Sequence, residues 1–265
     1  MSKKVAIVTG GTSGIGRATA LALQERGYTV YELSRRAEGM PDIRHIVADI
    51  TKEETLRAAV EQVLAVEGRL DLVVNNAGFG ISGAIEFTDT QEAQRLFDTL
   101  FFGMVRMNRC VIPLMRQQGH GRIVNISSVA APVPIPFQAY YSAGKAAINA
   151  YTMALANELR PFGVTVCAVM PGDIKTGFTA ARHKIIDGDD IYQGRIGRSV
   201  QRMEHDELTG MDPAKVGRYI AAVASREGSH HPLYATRIDY KFFVFLTKVL
   251  PARFLNWLIY QLYGK

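Results

Sequence analysis

The sequence predicts a doubly wound α/β fold, a parallel sheet with helices on both faces. Two features predict it. Short apolar and β-branched runs alternate with longer stretches of helical period, the pattern of successive βαβ units. The runs are apolar almost throughout rather than at every second residue, as strands covered on both faces must be. At 265 residues, with 48% hydrophobic and 21% charged residues, the chain is long enough for one large core.

The elements follow in order. VAIVT (5–9) reads as the first strand, and Ile15 to Arg26 as the first helix, closed by Gly27. TVYEL (29–33) and HIVADI (45–50) read as the second and third strands. LDLVVNN (70–76), RIVNIS (122–127) and VTVCAVM (164–170) each follow a helical stretch and read as strands in turn. Asp212-Pro213 is a cap followed by a first-turn proline and starts a late helix. From Gly177 to Gly210 the rhythm breaks into a polar, glycine-containing stretch beyond a strand's carboxyl end, where open α/β sheets bind ligands. It reads as a flap over the substrate or as a surface insertion. Residues 1–236 form one catalytic domain in this reading, and 237–265 a helical tail.

Several classes are excluded. Cys110 and Cys167 are far apart and lack metal-ligand spacing, so reduced thiols filling a core are expected, with no metal site. Lys3 and Lys4 precede only four apolar residues, Val5 to Val8, too few for a secretory leader. A cytoplasmic protein is expected. Of the net charge of +6, the tail from Arg237 onward holds five bases and one acid, or +4. The basic balance therefore belongs to the tail and marks no nucleic-acid surface.

TGGTSGIG (9–16) lies between the first strand and first helix. Gly10, Gly14 and Gly16 allow a tight turn and close approach of a ligand, and the helix N-terminus offers free N–H groups to a diphosphate. In AYYSAGK (139–145), Tyr141 and Lys145 are four apart and share one helix face, while Tyr140 points about 100° away. Either feature alone is common. Together with NNAG (75–78), Ser128 after a strand and PGDIKT (171–176), all in this order, they make the chain resemble a short-chain dehydrogenase/reductase. The matching motifs span residues 5 to 176.

That resemblance implies a Rossmann-type fold, a nicotinamide cofactor and hydride transfer between an alcohol and a carbonyl. It implies Ser128, Tyr141 and Lys145 as the catalytic residues. In the family the serine lies thirteen residues before the tyrosine, which selects Ser128 over Ser127 for Tyr141. Tyr140 has Gly144 rather than a cation at its i+4 position and is left to packing. The resemblance further implies that Gly10, Thr12, Ser13, Gly14, Ile15 and Gly16 hold the diphosphate, with Asp49 and Ile50 near the adenine. Asn75, Ala77 and Gly78 would form the cofactor floor, Lys145 would bind the nicotinamide ribose beside Tyr141, and Pro171, Gly172, Ile174 and Thr176 would hold the nicotinamide end. Members are dimers or tetramers, so a homo-oligomer is expected.

The residue chemistry agrees with this assignment. A phenol with an ordinary pKa of about 10 exchanges protons slowly near neutrality, and an ammonium one turn away can lower that value by roughly 1–3 units. Lys145 is expected to do so, with Ser128 holding the carbonyl oxygen beside the phenol. At the end of the second strand, Ser34 stands where an acid would bind the adenosine ribose, followed by Arg35 and Arg36. A guanidinium suits a phosphate monoester, so NADP(H) is expected, unless the arginines are only a solvated pair. Glu32 lies two positions early and is expected to point off the cofactor side.

One departure stands out. The family commonly reads Asn-x-x-Gly before the serine strand, the asparagine holding a water that links the lysine to solvent. Here RLFDTLFFG (95–103) puts Leu100 at that place. An altered proton path in an active enzyme, a slowed enzyme and an introduced substitution are the competing readings of Leu100. A cofactor-binding sensor or scaffold with impaired catalysis is the rival to an active enzyme.

YKFFVFLTKVLPARFLNWLIYQLYGK (240–265) is divided by Pro251 into two amphipathic helical pieces, neither reaching the ~20 apolar residues of a membrane span. A peripheral membrane contact and a helical pair packed over the cleft or a subunit are both expected readings. Such tails resemble those of family members acting on retinoids, steroids or keto-lipids. With the apolar loop APVPIPF (131–137), they imply a bulky lipophilic carbonyl or alcohol.

Overall fold

Strand β1 (Val5–Thr9) lies near the middle of a parallel sheet in the computed structural model, which describes residues 3–226, 228 and 231–265. Around it run β2 (Thr29–Ser34), β3 (Arg44–Val47), β4 (Leu72–Asn75), β6 (Gly121–Ile126), β7 (Val164–Met170) and β9 (Leu233–Ala235). The order is β3-β2-β1-β4-β6-β7-β9, and every pairing is parallel. The strand order reverses between β1 and β4, which opens a crevice at their carboxyl ends. A separate short parallel pair joins β5 (Ile81–Ser82) to β8 (His183–Lys184).

The apolar runs have their predicted consequence. All five residues of β1 and all four of β4 are buried. Helices α1 (Gly14–Glu25) and α8 (Pro213–Ser225) cover one face, where Ala20, Leu23, Val216 and Ile220 meet the sheet. Helices α2 (Glu53–Glu67), α4 (Gly103–Gln118) and α5 (Ala139–Leu159) cover the other, with Leu56, Val60, Met107, Val111 and Leu155 inward. Full burial of one such side chain contributes about 1.5–3 kcal/mol, so both faces are needed to hold the sheet. Asp212 caps α8 by accepting from Ala214 N at 2.9 Å, with Pro213 in the first turn.

The differences from the sequence reading have local causes. β3 stops at Val47 because Asp49 turns the chain, its Oδ1 accepting from Thr51 N and Thr51 Oγ1 at 2.9 and 2.8 Å. β9 was not foreseen, since three residues show no period. The stretch 177–210 carries α6 (Phe178–Ala181), β8 and α7 (Arg195–Leu208). Between α3 (Thr90–Phe97) and α4 the helix widens into a π-turn, Asp98–Phe102, which holds Leu100. The tail forms α9 (Ile238–Val249) and α10 (Ala252–Tyr263).

Candidate active site

The glycine-rich turn sits at the switch point between β1 and β4. Gly10 has φ +66°, a left-handed conformation that favours glycine, and its N–H donates to Leu33 O at 2.7 Å. A Cβ on Gly16 would run into the Gly10 carbonyl oxygen, so helix and turn can approach this closely only without a side chain. Thr9 Oγ1 accepts from Asn76 N and Ala77 N at 3.0 and 3.1 Å, and Asn76 Nδ2 donates back to Thr9 O. These bonds fasten the turn to the loop after β4.

The Ser13 side chain makes no capping bond to α1, and no acid stands in the helix's first turn. The free N–H groups and the positive dipole end therefore face the cleft uncontested, as a diphosphate requires. The cleft itself holds about 1260 Å³ and runs from Ser34, Arg35, Arg36 and Asp49 past the glycine turn to Ser128, Tyr141 and Lys145. Its length and its donors fit a dinucleotide.

Most of the predicted residues line this cleft: Gly10, Thr12, Ser13, Gly14, Ile15, Ile50, Ala77, Gly78, Pro171, Gly172, Ile174 and Thr176 besides those just named. Gly16 and Asn75 lie outside that lining. Gly16 lies beneath the turn as a packing residue. Asn75 turns away, its Nδ2 donating to Asn108 Oδ1 at 2.7 Å and Asn125 Oδ1 at 2.9 Å in a buried polar ladder. Period-two alternation along β4 gives the cleft to Asn76 instead. Of the loop 131–137 only Ile135 lines the cleft. Phe137 packs against Tyr192 with ring centroids 5.6 Å apart.

Ser127 and Ser128 separate cleanly. Ser127 Oγ donates to Lys145 O at 3.1 Å, a bond that holds α5 to the end of β6. Ser128 lines the cleft beside Tyr141, its hydroxyl opposing the rise in the phenol's pKa, and its Oγ accepts from Ala130 N at 3.1 Å. Tyr140 is off the cleft, packed beside Leu96 and Leu100.

The electrostatics differ from expectation at one point. Burial pushes the Tyr141 phenol up to about 12, against the Ser128 hydroxyl, with Glu207 and Asp173 raising it further and Arg182 opposing them. Lys145 is not among the groups lowering it. Its ammonium is 5.6 Å from the Tyr141 ring centroid and donates to Ile126 O at 2.7 Å. Burial pushes Lys145 itself down to about 7. A cation that is half neutral at pH 7 gives the phenol little help in this state.

Leu100 is 2% exposed and packs between the loop after β4 and α5, against Gly78 and Gly144. Ile81, Leu96, Ile185 and both tyrosines complete an apolar plug. The Leu100 side chain itself offers a water no hydrogen-bonding partner.

Sequence reasoning placed a flap at 177–210 but did not single out the wall of side chains beside Tyr141. Phe178 sits 5.8 Å from Tyr141 by ring centroids, and Asp173 and Glu207 line the cleft beside it. Glu207 is held by the buried Arg182 and accepts from Thr179 Oγ1 at 2.6 Å. The tail reaches this wall: Tyr240 donates to Asp173 Oδ2 and Tyr263 to Asp206 Oδ2, each at 3.0 Å. Among the described residues no group of three His, Cys, Asp or Glu could hold a metal.

A glycine turn at the switch point of a doubly wound sheet, opening onto a Ser–Tyr–Lys set, defines an oxidoreductase of the dinucleotide-binding α/β class. The family model for short chain dehydrogenases matches residues 4–185. A 3-ketodihydrosphingosine reductase of Bacteroides thetaiotaomicron is 38% identical over 261 residues, covering 97% of this chain and 94% of that protein. An NADPH-dependent 1-acyldihydroxyacetone phosphate reductase of Schizosaccharomyces pombe is 34% identical over 66% of this chain and 61% of its own. A short-chain dehydrogenase crystal structure from Streptomyces avermitilis superposes with a TM-score of 0.82 at 34% identity, over 92% of each chain. The chain belongs to the short-chain dehydrogenase/reductase family.

Proposed function

We propose that the protein is an NADP(H)-dependent reductase of a long-chain lipid ketone, working at a membrane surface. The observation that carries the reading is the single cleft joining Arg35 and Arg36 at one end to Ser128, Tyr141 and Lys145 at the other. Arg35 and Arg36 would take the 2′-phosphate, Thr12 to Ile15 the diphosphate, Asp49 and Ile50 the adenine end, and Pro171 to Thr176 with Lys145 the nicotinamide end. When bound, the dinucleotide supplies the hydride. Ser128 holds the carbonyl oxygen and Tyr141 gives it a proton, the phenol being protonated at neutral pH. The stretch 177–210 forms the substrate side of the cleft.

The substrate class follows from the wall beside Tyr141. Asp173 there, whose carboxylate accepts from the Tyr240 phenol rather than from a cation, favours a substrate with an ammonium near its carbonyl over one with a phosphate, which it would repel. Glu207 is already paired with Arg182. A long-chain 2-amino ketone such as 3-ketodihydrosphingosine fits, in accord with the Bacteroides relative. The test is NADPH oxidation with 3-ketodihydrosphingosine, 1-acyldihydroxyacetone phosphate and a neutral long-chain ketone. The amino ketone is expected to react best, and Asp173→Asn to raise its KM about tenfold while leaving the neutral ketone unchanged. No turnover of any ketone would count against the reading.

Leu100 favours one rival, a cofactor-binding sensor with impaired catalysis. Leu100→Asn discriminates: it is expected to change kcat by less than about tenfold. Activity appearing only in that variant would establish the rival instead.

The membrane reading rests on α9 and α10. Ile238, Phe242, Phe245 and Val249 recur at helical spacing, and all are exposed, as are Phe254, Trp257, Lys241, Lys248 and Arg253. An apolar stripe flanked by cations suits an anionic bilayer surface. Among the described residues no helix is long and apolar enough to cross a membrane. The protein is expected to float with vesicles containing phosphatidylglycerol, and Phe242→Glu with Phe245→Glu to leave it at the bottom of the gradient. Equal flotation of both would remove the membrane contact.

A further inference from the structure

Below the arginine end of the cleft lies a charged pair that the reaction does not use. Glu32 on β2 is 0% exposed and stands directly opposite His45 on β3 in the parallel register. Its Oε1 meets His45 Nδ1, while its Cβ packs under Gly11 of the glycine turn. The other ring nitrogen, His45 Nε2, lies 2.9 Å from the Arg36 carbonyl oxygen. Glu32 itself is not part of the cleft lining.

The hydrogen positions follow from these partners. A carbonyl oxygen can only accept, so His45 Nε2 carries a proton and donates it to Arg36 O. One further proton is then shared between Nδ1 and Glu32 Oε1. Whether it rests on the ring or on the carboxyl, the pair carries no net charge. Burial raises the Glu32 pKa and His45 opposes the rise, as a shared proton demands.

The arrangement does two things at the place where the resemblance expects a ribose phosphate. It pins the backbone of the loop after β2, which carries Arg35 and Arg36. It also cancels a carboxylate charge that would otherwise repel a phosphate dianion through a medium of low dielectric. We propose that Glu32 and His45 form a brace that positions Arg35 and Arg36 and thereby sets the preference for the phosphorylated dinucleotide. The proposal rests on the NADP(H) reading above. His45 is a positioning residue here, since it acts through the arginines.

The test is calorimetric titration of NADPH, NADH and adenosine 2′,5′-bisphosphate into wild type, His45→Ala and Glu32→Gln. Wild type is expected to bind NADPH more tightly than NADH. His45→Ala should lower the NADPH-to-NADH affinity ratio about tenfold and weaken the bisphosphate equally, with NADH affinity held within about twofold. Glu32→Gln should keep the ratio within about twofold, because an amide N–H still donates to Nδ1 and leaves Nε2–H on the Arg36 carbonyl. If the buried carboxylate prevents His45→Ala from folding, Glu32→Leu with His45→Phe replaces the pair by apolar groups of like size and must show the same loss of ratio.

An unchanged ratio in the His45 variants overturns the brace. So does an equal weakening of NADPH and NADH, the mark of a merely structural role. A wild-type protein that binds NADH as tightly as NADPH overturns the NADP(H) reading itself, and the brace falls with it.

Discussion

Replacing Tyr141 by Phe is expected to lower kcat for ketone reduction by about 10²–10⁴-fold, the range of a lost general acid, while NADPH binding stays within about twofold. The substitution removes one oxygen and keeps the ring, so the contact with Phe178 at 5.8 Å and the packing against Leu100 survive. What is lost is the hydroxyl beside Ser128. At neutral pH the phenol, pushed up to about 12, is fully protonated and can serve as the proton source for a developing alkoxide without first being charged. The measurement is single-turnover NADPH oxidation alongside calorimetric NADPH binding. A loss of less than tenfold with binding intact would remove Tyr141 from the proton transfer. A loss of NADPH binding instead would make it a cofactor ligand.

Much of this site could be read because its motifs are local. The TGGTSGIG turn is a strand end and a helix start, so its conformation is set within eight residues. Tyr141 and Lys145 lie one helical turn apart, and the thirteen-residue spacing singles out Ser128, while Ser127 donates to Lys145 O. What the sequence hid depends on contacts between distant segments. Asp173 and Glu207 meet beside Tyr141 only because α6 and α7 fold back over the carboxyl ends of the strands. Glu32 faces His45 through the β2–β3 register, which no single strand specifies. Asn75 was assigned to the floor from its motif, yet strand alternation turns it toward Asn108 and Asn125. Burial also changed the expected electrostatics. The i, i+4 spacing of Tyr141 and Lys145 was read as a charge acting on a phenol, but desolvation moves both groups toward their neutral forms.

That desolvation makes Lys145→Met a prediction with two opposite signs. Lys145 is 5% exposed, and its ammonium donates to Ile126 O at 2.7 Å. Its pKa falls from 10.5 in the unfolded chain to about 7 in the fold. Between these values the unfolded chain binds more protons than the native one, so wild-type stability rises with pH from about 7 to about 10.5. Below pH 7 the native protein carries the full cost of the buried cation, on the order of 5 kcal/mol at 1.36 kcal/mol per unit, and at pH 7 slightly less. Methionine removes the charge and keeps most of the chain length, but leaves the Ile126 carbonyl without its donor, at about 1–3 kcal/mol. The net expectation is a variant more stable than wild type by roughly 1–3 kcal/mol at pH 7. That gain should shrink as pH approaches 10, because the wild type recovers what the variant never lost. Turnover should move the other way and fall by about 10²-fold or more, since the Lys145 ammonium is no longer there to hold the ribose or favour proton transfer. Thermal unfolding at pH 7 and pH 9.5, run beside the kinetics, separates the outcomes. A variant less stable than wild type at pH 7 would mean that the ammonium is compensated in the fold. A stabilised variant that kept its turnover would take Lys145 out of the chemistry. A stabilised and inactive one is the signature of a residue retained for function against the preference of the core around it.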